Sequence, residues 1–200
     1  MRRRGDIACV VLLAMGAASS AAQALRPLTD SGEVMVDGQS MPYVIHHLPL
    51  SSFPALPSVI AAQLKERGCL IPQTYEARQP ENVVHASLEH AGSSDWAVLC
   101  SAQGTVSLLV FFASAPEAPT TLASAPETER LQPRVVSGVL GFNWGIDPAS
   151  PERVHEAQIG LPRRPPAPDH DALADSVIDH RTVYRFFARG RWTLLDMPVD

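Results

Sequence analysis

The sequence predicts an α+β fold, mainly antiparallel β sheet with two short helices in a single domain. Three observations carry that reading. Asp37-Gly38 and Arg189-Gly190 are turn signals between runs of hairpin length. The runs at 96–99 (WAVL) and 106–112 (VSLLVFF) are as apolar as strands buried on both faces or at the middle of a sheet. Helix punctuation is confined to two places, a first-turn proline at Pro57 and another at Pro151.

Ahead of the fold, Arg2, Arg3 and Arg4 make a basic start, 7–18 is apolar but too short to span a bilayer, and Ala22-Gln23-Ala24 is an A-x-A cleavage site. Residues 1–24 therefore read as a secretory signal peptide and 25–200 as one exported domain. Removing 24 of 200 residues leaves 176, enough for a sizeable core. The leader takes three arginines and Asp6, so 16 basic and 21 acidic residues become 13 and 20. That acidic balance argues against nucleic acid and anionic lipid, both of which need a positive footprint. No later stretch is apolar enough to cross a membrane, so the expected location is periplasmic or secreted. In an oxidising compartment the two remaining cysteines, Cys69 and Cys100, are expected to form one disulfide.

The elements follow in order. Residues 33–36 and 41–47 flank Asp37-Gly38 as a hairpin. A helix runs from Pro57 to a stop at Gly68, with Val59, Ile60 and Leu64 on one face, and Cys69 directly after it. Strands are expected at 82–89, 95–101 and 105–112, with turns at 90–94 and at Gln103-Gly104. Residues 113–134 contain a near-repeat, ASAPEAPTTL then ASAPETERL. Rich in Ala, Pro, Ser and Thr, this segment is expected to be a mobile loop. A strand at 134–142 precedes a second helix from Ser150, the N-cap, to about Gln158. Residues 162–168 (PRRPPAP) read as polyproline-like. A last hairpin spans 182–188 and 191–197, with Tyr184 and Phe186 on one side and Val183 and Phe187 on the other.

Several stretches, GCLIPQ (68–73), ENVVHASLE (81–89), DWAVLCS (95–101), SLLVFF (107–112), DHDAL (169–173) and the ending VYRFFARGRWTLL, resemble a group of uncharacterised secreted bacterial proteins. The resemblance spans 68–112 and 168–197 and implies export but no activity. Asp95-Trp96-Ala97-Val98 also has a weaker likeness to the β-units of FG-GAP repeats, although the preceding HAGSS lacks the aspartates of their calcium loop.

The densest chemistry is DHDALADSVIDH at 169–180. Asp169 and Asp171 mimic the first positions of a calcium loop, but Leu173 stands at the next alternate position and no turn glycine follows. On a helix, Asp171, Asp175 and Asp179 would instead stack into a self-repelling face. Asp169 or Asp171 could also simply cap backbone N–H groups. Asp169, Asp171 and Asp175 are thus candidate metal ligands, with calcium the cation that fits the pattern and no other cofactor implied. The histidine pairs His46-His47, His85 with His90, and His170 with His180 lack a zinc spacing. Adjacent His46 and His47 would point to opposite faces of a strand. Neither G-x-S-x-G nor S-x-x-K occurs, and no phosphate loop is present. Trp144 in GFNWG and Trp192 after Gly190-Arg191 are candidates for a ligand face, or else aromatic closures of a small core.

Together these features point to an exported, non-enzymatic envelope module that binds a protein or glycan partner. The alternative is a hydrolase or cation-dependent enzyme built on 169–180 with a distant histidine.

Overall fold

A computed structural model describes residues 28–134, 137–159, 161, 164–166 and 168–198, the last two by backbone only. The expected signal peptide at 1–24 lies outside these residues, as do parts of the 162–168 stretch.

Strands β1 (Thr29–Val36) and β2 (Gln39–Leu48) form the first hairpin around Asp37 and Gly38, whose φ angles are 49° and 82°. Helix α1 (Ser58–Glu66) begins behind Pro57, and Gly68, at φ 71°, ends it by a turn that side chains resist. Strand β3 (Ile71–Gln73) pairs with β2. Next come β4 (Val83–Ala86), β5 (Asp95–Ala102), β6 (Thr105–Phe111) and β7 (Thr120–Pro126), a central antiparallel sheet in sequence order. A 3-10 turn (Glu127–Arg130) leads to β8 (Leu131–Pro133) and β9 (Leu140–Phe142), which return to the first sheet. There β9 lies parallel to β2. Its Gly141 passes so close to Tyr75 that an added Cβ would lie 2.5 Å from the tyrosine Cβ. Finally β10 (Trp144–Ala149), α2 (Pro151–Ala157), β11 (Ala172–Val177), β12 (Arg181–Ala188) and β13 (Arg191–Pro198) build a C-terminal sheet with α2 inserted after its first strand. Ser150 caps α2, its hydroxyl accepting from the Arg153 N–H.

The three sheets share one core. Ile45 and Phe142 of the first sheet, Ala97, Leu99, Leu108 and Val110 of the central sheet, and Trp144, Ile146 and Leu173 of the C-terminal sheet pack into it. The alternate residues of β5, Trp96, Val98 and Cys100, face the other way, onto Ile60 and Leu64 of α1. The central sheet is therefore buried on both faces, which is why its strands read as continuous apolar runs. Helix α2 places Val154 on the outer face of the C-terminal sheet, against Ala172, Ala174, Tyr184, Phe186 and Leu195. The Cys69–Cys100 disulfide joins the end of α1 to β5 across a sequence separation of 31. A loop of that size is worth about 3–4 kcal/mol in the chain-entropy account.

The α+β class needs correction. Strands take 49% of the described residues and helical turns 14%, in three sheets, so the fold is β-rich with two short helices packed on it. Besides the short β3 and β10, which also lie outside the expected strands, two segments contribute to the difference. Residues 113–134, expected as a mobile loop, supply β7, the 3-10 turn and β8. Strand β7 lies at the sheet edge and buries only Ala125, so its Ala/Ser/Thr/Pro composition suffices there. The acidic stretch supplies β11, whose one face meets the shared core and whose other meets α2.

Candidate functional site

The C-terminal sheet positions two concavities, one on each face. On the outer face an open, polar hollow of about 570 Å³ is lined by Thr74, Glu76, Arg78, Glu81, Asp147 and Ser176, among others. Its floor is tied down by Asn82, which donates to the carbonyls of Pro72 (2.7 Å) and Trp144 (3.3 Å) and accepts from the Ile146 N–H (3.0 Å).

The inner face carries a groove of about 270 Å³ lined by Arg130, Asp175, Val177, Arg181, Val183, Arg185, Leu194 and Asp196. The strand pairing explains this set. Asp175 stands opposite Val183, Val183 opposite Asp196, and Arg185 opposite Leu194, so alternation puts all of them on one face. Arg130 arrives from the 3-10 turn at the edge of the first sheet, its guanidinium carbon 4.1 Å from the centroid of the Trp144 ring.

Most charges in the groove are matched. Arg185 Nε donates to Asp175 Oδ2 at 2.7 Å, and this pair is largely buried. Trp144 Nε1 donates to the other oxygen, Asp175 Oδ1, at 2.5 Å. Arg181 Nε donates to Asp196 Oδ1 at 2.6 Å, and Arg181 Nη2 to Asp196 Oδ2. That fork of donors holds the Asp196 carboxyl below its usual range and raises Arg181. Arg130 differs. It has no carboxylate partner among the described residues, and its Nε is buried without a hydrogen-bond acceptor. Three guanidinium groups against two carboxylates leave the groove with one positive charge, in a chain of formal net charge −5.

The sequence candidates are distributed as follows. Asp169 is exposed and accepts from His170 Nδ1–H at 2.7 Å, a bond that lowers its pKa. Asp171 Oδ2 accepts from the Ser87 N–H of the central sheet at 3.0 Å. Asp175 belongs to the groove. The extended chain spaces Asp171 and Asp175 by roughly 13 Å, which a helix would have brought to one turn. No group of three or more His, Cys, Asp or Glu side chains comes together among the described residues. Trp144 is fully buried and Trp192 half-buried, so the two do not make an exposed ligand face. Trp192 instead stacks on Phe112 (5.9 Å) and meets Phe187 edge-on (5.6 Å), closing the junction of the central and C-terminal sheets. His46 and His47 do point to opposite faces, one exposed and one buried. His85 is exposed and stacks on Trp96 at 4.5 Å, and its Nε2 lies 2.7 Å from the Ser94 hydroxyl.

One buried polar network had no signal in the sequence. His47 Nε2–H donates to Glu127 Oε1 at 2.8 Å, and the Ser101 hydroxyl donates to the same oxygen. The three residues lie on β2, the 3-10 turn and β5, and all are buried. A serine nucleophile needs the histidine beside it and access to substrate. Here the buried hydroxyl is bonded to the carboxylate, and the network fixes the turn that carries Arg130.

No protein-family model, curated protein or solved structure matches this chain. Among the described residues no helix is long and apolar enough to cross a membrane.

Proposed function

We propose that the protein is an exported binding module whose inner-face groove receives an anionic group. The observation that supports this reading is Arg130. Its charge rests on the Trp144 ring and has no carboxylate counterpart among the described residues, while the other two arginines of the groove are paired. A cation over an aromatic face stays charged and ready to meet an anion, because the ring attracts it without neutralising it. Strands and a turn, themselves fixed by the buried Glu127, hold the lining in place, as a preorganised site requires. Export rests on the leader-like first 24 residues and is consistent with the disulfide.

The test is thermal unfolding of the oxidised protein against acetate, phosphate, sulfate and citrate at constant ionic strength. A ligand that binds only the folded state must raise Tm. At least one anion is expected to raise Tm saturably in the wild type and not in Arg130→Gln. Equal shifts in both proteins, or none in either, would remove the reading.

A further inference from the structure

We infer that the ligand of the inner-face groove is a monoanionic carboxylate bearing an apolar substituent. This rests on the groove being the anion site proposed above, and it adds three properties of the lining. One is charge. With Asp175 and Asp196 in the same lining, only one positive charge is left over, so a single negative charge balances it. A phosphate dianion would set surplus charge against those two carboxylates.

The second property is donor geometry. Arg130 Nε is sealed from solvent, so its two Nη nitrogens are the donors left to meet a ligand. They form a planar fork, matched by two oxygens held side by side as in a carboxylate. The third is polarity. Val177 and Val183 are half-buried in the lining, and Leu194 is 55% exposed, one of the few large apolar side chains left in water among the described residues. A purely polar anion would leave Leu194 wet, whereas an apolar substituent covers it. The volume, about 270 Å³, falls just under the roughly 300–1,000 Å³ of pockets that enclose drug-sized ligands. A small acid or the end of a chain fits. Two sources share this chemistry: a free small carboxylic acid, and the C-terminal carboxylate of a peptide ending in an apolar residue.

The experiment is a calorimetric titration of the oxidised protein with N-acetyl-leucine, N-acetyl-leucinamide, inorganic phosphate and a hexapeptide acid ending in leucine. N-acetyl-leucine is expected to bind at least tenfold tighter than the amide and than phosphate. Arg130→Gln is expected to weaken it tenfold or more, and Leu194→Ser severalfold. Tighter binding of the hexapeptide than of N-acetyl-leucine assigns the source to a chain end, and weaker binding assigns it to a free acid. Either ranking supports the inference. Phosphate binding as tightly as N-acetyl-leucine, with both lost in Arg130→Gln, would overturn the inference and leave the anion site standing. Binding that ignores Arg130→Gln, or no binding at all, would overturn both. Should Arg130→Gln fail to fold, Arg130→Lys keeps the charge and removes the fork. Undiminished preference for the carboxylate in that variant would also overturn the inference.

Discussion

The indole N–H of Trp144 donates to Asp175 at 2.5 Å, across neighbouring strands of one sheet face. A residue read from the sequence as a ligand-face aromatic and one read as a metal ligand are therefore partners. Asp175 also takes the Arg185 guanidinium, so a single carboxylate collects two donors in a largely buried position. Trp144→Phe keeps an aromatic face under Arg130 and removes one donor. Its expected loss is about 1.5–3 kcal/mol, the range for a hydrogen bond to a charged group. Asp175→Asn strands Arg185 and should cost more, about 3–5 kcal/mol. Urea unfolding of the two single variants and the double variant measures the coupling. Simple additivity would mean that the contact carries no energy of its own.

Asp95 is the other carboxylate on which the fold turns. It is fully buried at the start of β5 and accepts from the backbone N–H groups of Leu88 (2.8 Å), Glu89 (2.7 Å) and Ala113 (2.7 Å), and from the Ser93 hydroxyl. One side chain thus closes the 87–94 turn and fastens the end of β6 to it. Asp95→Asn replaces an acceptor oxygen with a donor facing donors, and a loss of at least about 3 kcal/mol is expected. Ser93→Ala removes a single donor and should cost about 1 kcal/mol. Chemical denaturation of both variants checks the ranking. Equal losses would mean that Asp95 is not the organising group.

Parts of this architecture were legible because they rest on local rules. Asp37-Gly38 and Arg189-Gly190 turn where positive φ is needed, and Pro57 and Ser150 start the helices. The apolar runs of β5 and β6 showed burial on two faces, and Tyr184 and Phe186 separated from Val183 and Phe187 by strand alternation. Strand β7 was not legible, because an edge strand with one buried alanine needs no hydrophobic pattern. Strand β11 was hidden by its aspartates, whose burial depends on partners far away in sequence. Ser87 lies 84 residues from Asp171, and Trp144 lies 31 from Asp175. The candidate groove was unreadable for the same reason. Arg130 meets Trp144 from a turn whose Glu127 is held by His47, 80 residues upstream.

Cation binding by the 169–180 stretch would require Asp169, Asp171 and Asp175 to converge. Each carboxylate already has its own partner, and Asp171, just before β11, lies four residues from Asp175 within it. Thermal unfolding of the oxidised protein with calcium, with zinc and with EDTA is therefore expected to give the same Tm. A rise with one metal that disappears in Asp169→Ala combined with Asp171→Ala would contradict this and bring back the cation-dependent reading.

Acid should weaken the fold through three lowered carboxyls, one of them Glu152 at the start of α2, lowered by hydrogen bonds from the backbone and from Ser150. Asp196 is lowered by hydrogen bonds from Arg181, and Asp169 by the hydrogen bond from His170. A carboxyl whose folded pKa lies below its unfolded value binds fewer protons when folded, so stability rises with pH across that window. The contribution of the two aspartates is fully present above the unfolded aspartate value of about 3.8 and is lost as pH falls through the lower folded values. Both side chains are well exposed, 51% for Asp196 and 91% for Asp169, so solvent screening keeps the effect small. Urea midpoints at pH 6, 4, 3 and 2 are expected to show little change down to pH 4 and a decline below it. The decline should be shallower in Asp196→Asn, which has no carboxyl to titrate. An identical slope in that variant would mean that the Arg181–Asp196 pair is energetically silent.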